Sequence, residues 1–214
     1  MSLPLSTVST VTLANALAEV FGPATCAGCR RRGIPLCVRC HRRLVSPLND
    51  RVMPGVRRAL CAWEYEGAAR SLILALKLRR RAWAAGPLVD ACTSLIARRG
   101  LSGNVVTWVP GRSIDIRERG YDHAALLASG IAGRLGLPAV RLLGRIRESI
   151  DQTELGAGQR AANLAGVFES RACGEGVVLV DDLVTTGATA SACARALKAA
   201  GVPRVELVAP CRKS

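Results

Sequence analysis

The second half of the chain alternates short apolar runs with amphipathic segments, and that alternation restricts the fold more than any other feature. NVVTWVP reads as a strand ending at Pro110, PAVRLL as another, GVVLV as a buried strand and PRVELVAP as a final one. Between them, RGYDHAALLASGIAGRLGL sets Leu126, Leu127, Ile131 and Leu135 on one side of a helix, and TGATASACARALKAAG reads as a helix closed by Gly201. Strands separated by helices join in parallel through right-handed crossovers, so the expected class is α/β, a parallel sheet flanked by helices. Half of the 214 residues are hydrophobic but only 3% are aromatic, so the core must be built mainly from Ala, Leu, Val and Ile. The polar stretch GRIRESIDQTELGAGQRAAN is expected to be mostly a long loop, and long loops inside a domain of this kind are often functional.

Upstream, CAWEYEG reads as a short strand and AARSLILALKLRRR as a helix with Leu72, Ile73 and Leu76 at helical spacing. Lys77, Arg79, Arg80 and Arg81 fall at the end of that helix, where basic side chains suit the dipole. Leu13, Leu17, Val20 and Phe21 suggest one face of a short N-terminal helix. The leading segment lacks the basic start and continuous apolar block of a signal peptide, and no run approaches the ~20 apolar residues that span a bilayer. A reducing, cytoplasmic setting is therefore expected. The organisation expected is a 1–50 unit with a short helix and a cysteine cluster, followed by a single domain over 51–214.

The stretch GVVLVDDLVTTGAT carries the chemistry. A buried strand that delivers the chain to a turn and then a helix puts the turn at the carboxyl edge of a parallel sheet, where ligands bind in open α/β folds. Thr185, Thr186, Gly187, Ala188 and Thr189 offer backbone N–H groups at a helix N-terminus, which suits a phosphate, with threonine hydroxyls as further donors. Asp181 and Asp182 would repel a bare phosphate. They make sense if the ligand also presents hydroxyls or a divalent cation, as a ribose 5-phosphate unit does, with its 2- and 3-hydroxyls on the acids. Carboxylates there also favour positive charge developing on the sugar ring in a dissociative transition state. No lysine follows the glycine, as a Walker turn needs, and the three spaced glycines of a dinucleotide fingerprint are absent.

This stretch resembles the phosphoribosyl pyrophosphate signature of type I phosphoribosyltransferases. The order of Val-Pro, RERGYDHA, RIRESIDQ, QRAAN and the DD–TTGAT turn, behind a four-cysteine segment, is similar to the ComF family of competence-associated proteins from about residue 15 onward. Two departures stand out. Thr107-Trp108-Val109-Pro110 replaces the family's Val-Pro-Val-Pro, and Tyr121-Asp122-His123 replaces its Phe-Asn-Gln. The resemblance implies a type I phosphoribosyltransferase fold with an N-terminal zinc finger, binding of 5-phosphoribosyl 1-pyrophosphate with Mg2+, and transfer of phosphoribose to a nitrogen nucleophile with release of pyrophosphate. Asp181 and Asp182 would then be the catalytic acids on the ribose.

The segment after Pro110 suits pyrophosphate, because Arg112, Arg117 and Arg119 follow a strand's carboxyl end and guanidinium groups bind phosphate oxygens bidentately. The resemblance assigns it to that side; a solvent-facing basic loop is the plain alternative. Arg145, Arg147, Gln152 and Arg160, followed by Asn163, match family positions in a lid that would exclude water from the reacting centre. Lys77 matches a lysine that the family often carries after a similar helix, and would reach a phosphate. His123, alone at a helix start, is read as a cap or surface residue before an acid or base.

Cys26-x2-Cys29 and Cys37-x2-Cys40 form two close knuckles, and four thiolates so spaced suit a tetrahedral, structural Zn2+ with no open position. His41 is read as a bystander, and Cys61, Cys92, Cys173, Cys193 and Cys211 as small fillers. The net charge of +14 is uneven: residues 1–100 hold 16 Lys and Arg against 5 Asp and Glu, residues 101–214 hold 14 against 11. A basic N-terminal half, with Arg30, Arg31, Arg32, Arg39, Arg42 and Arg43 around the knuckles, suits DNA or another polyanion, or a protein, as partner, or simply a solvated surface. The rival to the transferase reading is thus a non-enzymatic nucleic-acid-binding or nucleotide-sensing accessory in DNA uptake. Few aromatic rings accompany the arginines, which argues against a single-strand stacking platform.

Overall fold

The computed structural model describes residues 24–78, 81–146 and 166–213. Its centre is a parallel sheet in the order β1 (Arg58–Glu64), β7 (Val205–Arg212), β5 (Val177–Val180), β2 (Val105–Trp108), with a short β6 (Leu183–Val184) also paired to β7. The expected α/β class is borne out. All four residues of β5 are buried because both faces of the sheet are covered, which is why this strand reads as an unbroken apolar run and not as an alternation.

The two faces carry separate halves of the core. Val106, Val178, Val180 and Val208 point to the face covered by α2 (Gly67–Leu78), α3 (Ala85–Arg99) and α5 (His123–Leu135), where Leu72, Ile73, Leu76, Leu88, Leu127 and Ile131 pack. Their neighbours Val105, Val177, Leu179, Val205 and Leu207 point to the other face, against Ala194 and Leu197 of α6 (Ala188–Ala199). The strand period of two thus sorts one apolar sequence into two layers. At the end of the sheet away from the strand C-termini, the buried Glu206 accepts from the Ser102 amide at 2.6 Å and pairs with Arg57 at 3.3 Å.

Several elements differ from the sequence expectation. The first strand starts earlier than CAWEYEG, at Arg58. The segment after Pro110 is not all loop, since α4 (Ser113–Arg119) forms within it and ends at Gly120 in the left-handed region. PAVRLL does not form one strand: Ala139 makes an isolated bridge to Val106, and β3 (Leu143–Arg145) begins only afterwards. β3 pairs antiparallel with β4 (Phe168–Ser170), an element the sequence did not announce. The long polar loop and the N-terminal helix fall largely outside the described residues.

The cysteine knuckles fold around a Thr25–Arg32 bridge and the single-turn α1 (Val38–His41), and sit on the start of α2. A Cβ on Gly28 would come within 2.6 Å of Cys40 Sγ, so glycine is needed inside the knuckle, and the same spot lies 3.4 Å from Ala68 of α2. A strap, residues 45–57, then crosses from the carboxyl edge of the sheet to its opposite end. The Val45 carbonyl accepts from the Glu64 amide at 2.8 Å, the Asn49 carbonyl from Arg212 at 2.7 Å, and the Arg57 amide donates to Val205 at 2.8 Å.

Candidate functional site at the carboxyl edge

β5 stops at Val180, and β6 resumes the same line at Leu183. Val180 is opposite Val208 and Leu183 opposite Cys211, so the register is kept across the gap and the two acids simply interrupt the ladder. The Asp181 amide still donates to Val208 at 3.2 Å, and the Asp182 amide turns back to Asp181 Oδ1 at 2.9 Å. The strand therefore presents both carboxyl groups at its own carboxyl edge, beside the end of β2, where the Val109 amide donates to Val180 at 2.9 Å.

The acids have different surroundings. Asp182 is buried, and its Oδ2 lies 2.7 Å from Lys77 Nζ at the end of α2 and 2.8 Å from His123 Nε2 at the start of α5. Burial acts to raise its carboxyl, but the Lys77 charge and the His123 hydrogen bond outweigh it and hold Asp182 well below the usual carboxylate range. Asp181 is half-buried. Burial first, and then the Asp182 charge, push its carboxyl up to about 7, with Lys77 and the Asp182 amide opposing.

Local chemistry brings the two helix ends to Asp182. Asp122 is the N-cap of α5, its Oδ1 accepting from the Ala124 and Ala125 amides at 3.0 and 3.3 Å. Its Oδ2 accepts from Trp108 Nε1 at 3.2 Å, tying the cap to β2. The Tyr121 hydroxyl donates to the Leu76 carbonyl, tying the same cap to the last turn of α2. His123 is thus a buried partner of the acid pair, and Asp122, not His123, is the cap. Lys77, expected to suit the helix dipole or to reach a phosphate, has the same destination: its ammonium sits on Asp182.

Beyond β6, Thr185 and Thr186 are exposed, and Gly187 caps α6 with φ of 78°. A side chain there would be strained, and its Cβ would also meet Met53 Sδ at 2.9 Å. The Ala188 amide bonds Thr186 Oγ1 at 3.3 Å. Arg51, from the strap, donates to the Thr185 carbonyl. Nothing in the sequence flagged Arg51 or Met53, because strap and turn are far apart in the chain.

Of the residues expected on the pyrophosphate side, Arg112 is the half-buried N-cap of α4 and Arg117 is exposed on that helix; Arg119 ends it. The helix leaves the same sheet edge, one strand over from the acids. Of the lid residues, Arg145 lies at the end of β3 with its guanidinium 5.1 Å from the Phe168 ring centre. Arg147, Gln152 and Arg160 lie outside the described residues, as does Asn163.

The sulfur atoms of Cys26, Cys29, Cys37 and Cys40 lie within 4.8 Å of one another, and none of the four is in a disulfide. Cys29 and Cys37 Sγ are 3.7 Å apart. Two thiolates on a tetrahedral ion with metal–sulfur bonds of ~2.3 Å stand about 3.8 Å apart, so the donor set fits. Burial acts to raise the Cys26 thiol, but the amides of Cys29, Cys37 and Gly28 outweigh it and bring it down to about 6, while the Cys37 thiol and burial push Cys40 up to about 12. His41 stands outside the cluster, edge-on to Trp63 at 5.9 Å.

Residues 122–214 match the phosphoribosyl transferase domain family. The chain is 29% identical over 203 residues to the DNA utilization protein YhgH of Salmonella typhi, covering 88% of this chain and 89% of that protein, and equally to its counterpart in Salmonella typhimurium strain LT2. Among solved structures, the glutamine phosphoribosylpyrophosphate amidotransferase of B. subtilis, complexed with ADP and GMP, aligns with 71% of this chain at 20% identity and a TM-score of 0.44. The alignment spans only 31% of that chain. The adenine phosphoribosyltransferase of Thermoanaerobacter pseudethanolicus aligns with 63% of this chain and 83% of its own at 16% identity and a TM-score of 0.38. Residues 122–214 thus match the phosphoribosyl transferase domain family, in a chain similar over most of its length to the Salmonella DNA utilization proteins and carrying a four-cysteine cluster ahead of the match.

Proposed function

We propose that the protein binds 5-phosphoribosyl 1-pyrophosphate at the carboxyl edge of the sheet and transfers phosphoribose to a nitrogen nucleophile, releasing pyrophosphate. One observation carries this reading: the acid pair interrupts β5 immediately before a turn that opens α6 with Gly187 in the left-handed region. The amides and hydroxyls of Thr185 to Thr189 take the 5-phosphate. Asp181 meets the ribose hydroxyls, and Asp182, gripped by Lys77 and His123, fixes the geometry of its neighbour. Arg112, Arg117 and Arg119 serve the pyrophosphate, with Arg145, Arg147, Gln152 and Arg160 closing over it.

Mg2+ bound with the pyrophosphate would neutralise its charge, and the half-buried carboxylate of Asp181 is the hard oxygen donor that such an ion prefers. The 1–50 unit acts as a structural zinc finger, and 51–214 as the transferase domain, in the cytoplasm. Calorimetric titration with the sugar donor and Mg2+ tests the binding step, and pyrophosphate release against a panel of nitrogenous bases tests the chemistry. Absence of binding to the unaltered protein would overturn the proposal.

A second reading, a DNA-uptake accessory that keeps the fold as a sensor, draws on the name of the Salmonella relatives and on the six exposed arginines around the knuckles. Tight, steeply salt-dependent binding of single-stranded DNA without turnover would favour it.

A further inference from the structure

We propose that Arg51 is a phosphate-side residue of this site, carried to it by the strap that leaves the four-cysteine unit. The inference rests on the sugar-phosphate reading above and adds to it a cation supplied from outside the transferase motif.

The turn has a charge problem. Asp181 and Asp182 precede it, and no lysine or arginine lies between Val180 and Thr189. Lys77 is nearby, but its ammonium is committed to Asp182. A dianionic monoester held by amides and hydroxyls alone would therefore face two carboxyl groups with no cation in the turn to offset them. Arg51 supplies one. Its guanidinium touches the turn at the Thr185 carbonyl through Nη1 and makes no other hydrogen bond or ion pair among the described residues. A guanidinium has five N–H donors in a planar fork, so one bond to the turn leaves others for phosphate oxygens. The adjacent acid does not neutralise it, because Asp50 is engaged by Arg99 at 2.8 Å and Arg58 at 3.7 Å.

The placement of Arg51 is built. Two residues on, Met53 is buried against Gly187, whose missing side chain leaves room for the thioether. Two further on, Gly55 lies against α6, where a Cβ would come within 3.2 Å of Ala194 Cβ. On the other side, the Asn49 carbonyl is held by Arg212. The strap is thus pinned on both sides of Arg51, to β7 before it and to the turn and its helix after it.

The test is titration of the full-length protein with ribose 5-phosphate, comparing the unaltered chain with Arg51→Gln and Arg51→Lys. Gln keeps an N–H for the Thr185 carbonyl but loses the charge, so a purely structural strut would be largely preserved. The expected result is a loss of about tenfold or more in affinity for Gln, since a charge-assisted bond exceeds the tenfold equivalent, with partial recovery for Lys. Melting temperatures near that of the unaltered chain would accompany it. If the unaltered protein binds and the Gln form binds equally well, Arg51 is only a strut and the inference fails. If Gln unfolds the chain, the Lys form decides: affinity below the unaltered value supports the assignment, and loss of stability without loss of affinity overturns it. If the unaltered protein does not bind at all, the function proposed above falls, and this inference with it.

Discussion

At the scale of single residues, the acid pair divides its labour. Asp182→Asn removes the counter-charge of Lys77 and the carboxylate that faces His123 in one buried cluster, and breaking such a buried pair typically costs about 3–5 kcal/mol. Urea denaturation of Asp182→Asn at neutral pH should register a loss of that order, whereas Asp181→Asn should not destabilise the fold and should abolish binding of the sugar donor. Equal stability losses in the two variants would contradict the division. The pair also predicts a pH dependence. The Asp181 carboxyl stands near 7 when folded against about 3.9 when unfolded, so its contribution is fully present below the unfolded value and is lost as pH rises through the folded one. The melting-temperature difference between the unaltered protein and Asp181→Asn should therefore move against the unaltered protein between about pH 4 and pH 8. Asp182 acts in the opposite sense, its contribution persisting until strongly acid pH.

At the scale of elements, the turn that opens α6 depends on one backbone conformation and one neighbour. Gly187→Ala places a Cβ at a φ of 78° and against Met53, and should cost roughly 1–2 kcal/mol by thermal unfolding. Met53→Ala in the same chain should return part of that loss, a coupling that a double-mutant cycle measures. The turn was legible in the sequence because GVVLVDDLVTTGAT holds strand, acids and helix start within one short segment. The partners of Asp182 were not. Lys77 and His123 come from helices on either side of β2 in sequence, and only the strand order, which no local pattern states, brings them together. α4 was read as loop because SIDIRER is too short and too polar to show an apolar stripe, with Ile114 itself exposed. β3 and β4, at three residues each, are shorter than the window in which alternation can be recognised.

At the scale of the whole molecule, the four-cysteine unit and the acid pair with its turn are tied to one sheet. The four-cysteine unit should hold one tetrahedral Zn2+ per chain, measurable by elemental analysis of the purified protein, and Cys29→Ser should abolish stoichiometric metal. A boundary at residue 50, natural in the sequence, cuts through the strap that joins the cysteine unit to α6. The strap has a consequence for how the two sites communicate. One continuous segment is fastened near the knuckles at one end and against Gly187 of the turn further along, so the two places share one stretch of backbone. If a metal at the cysteines strengthens the grip on a sugar phosphate through this segment, thermodynamic reciprocity requires the sugar phosphate to tighten the equilibrium affinity for the metal by the same factor.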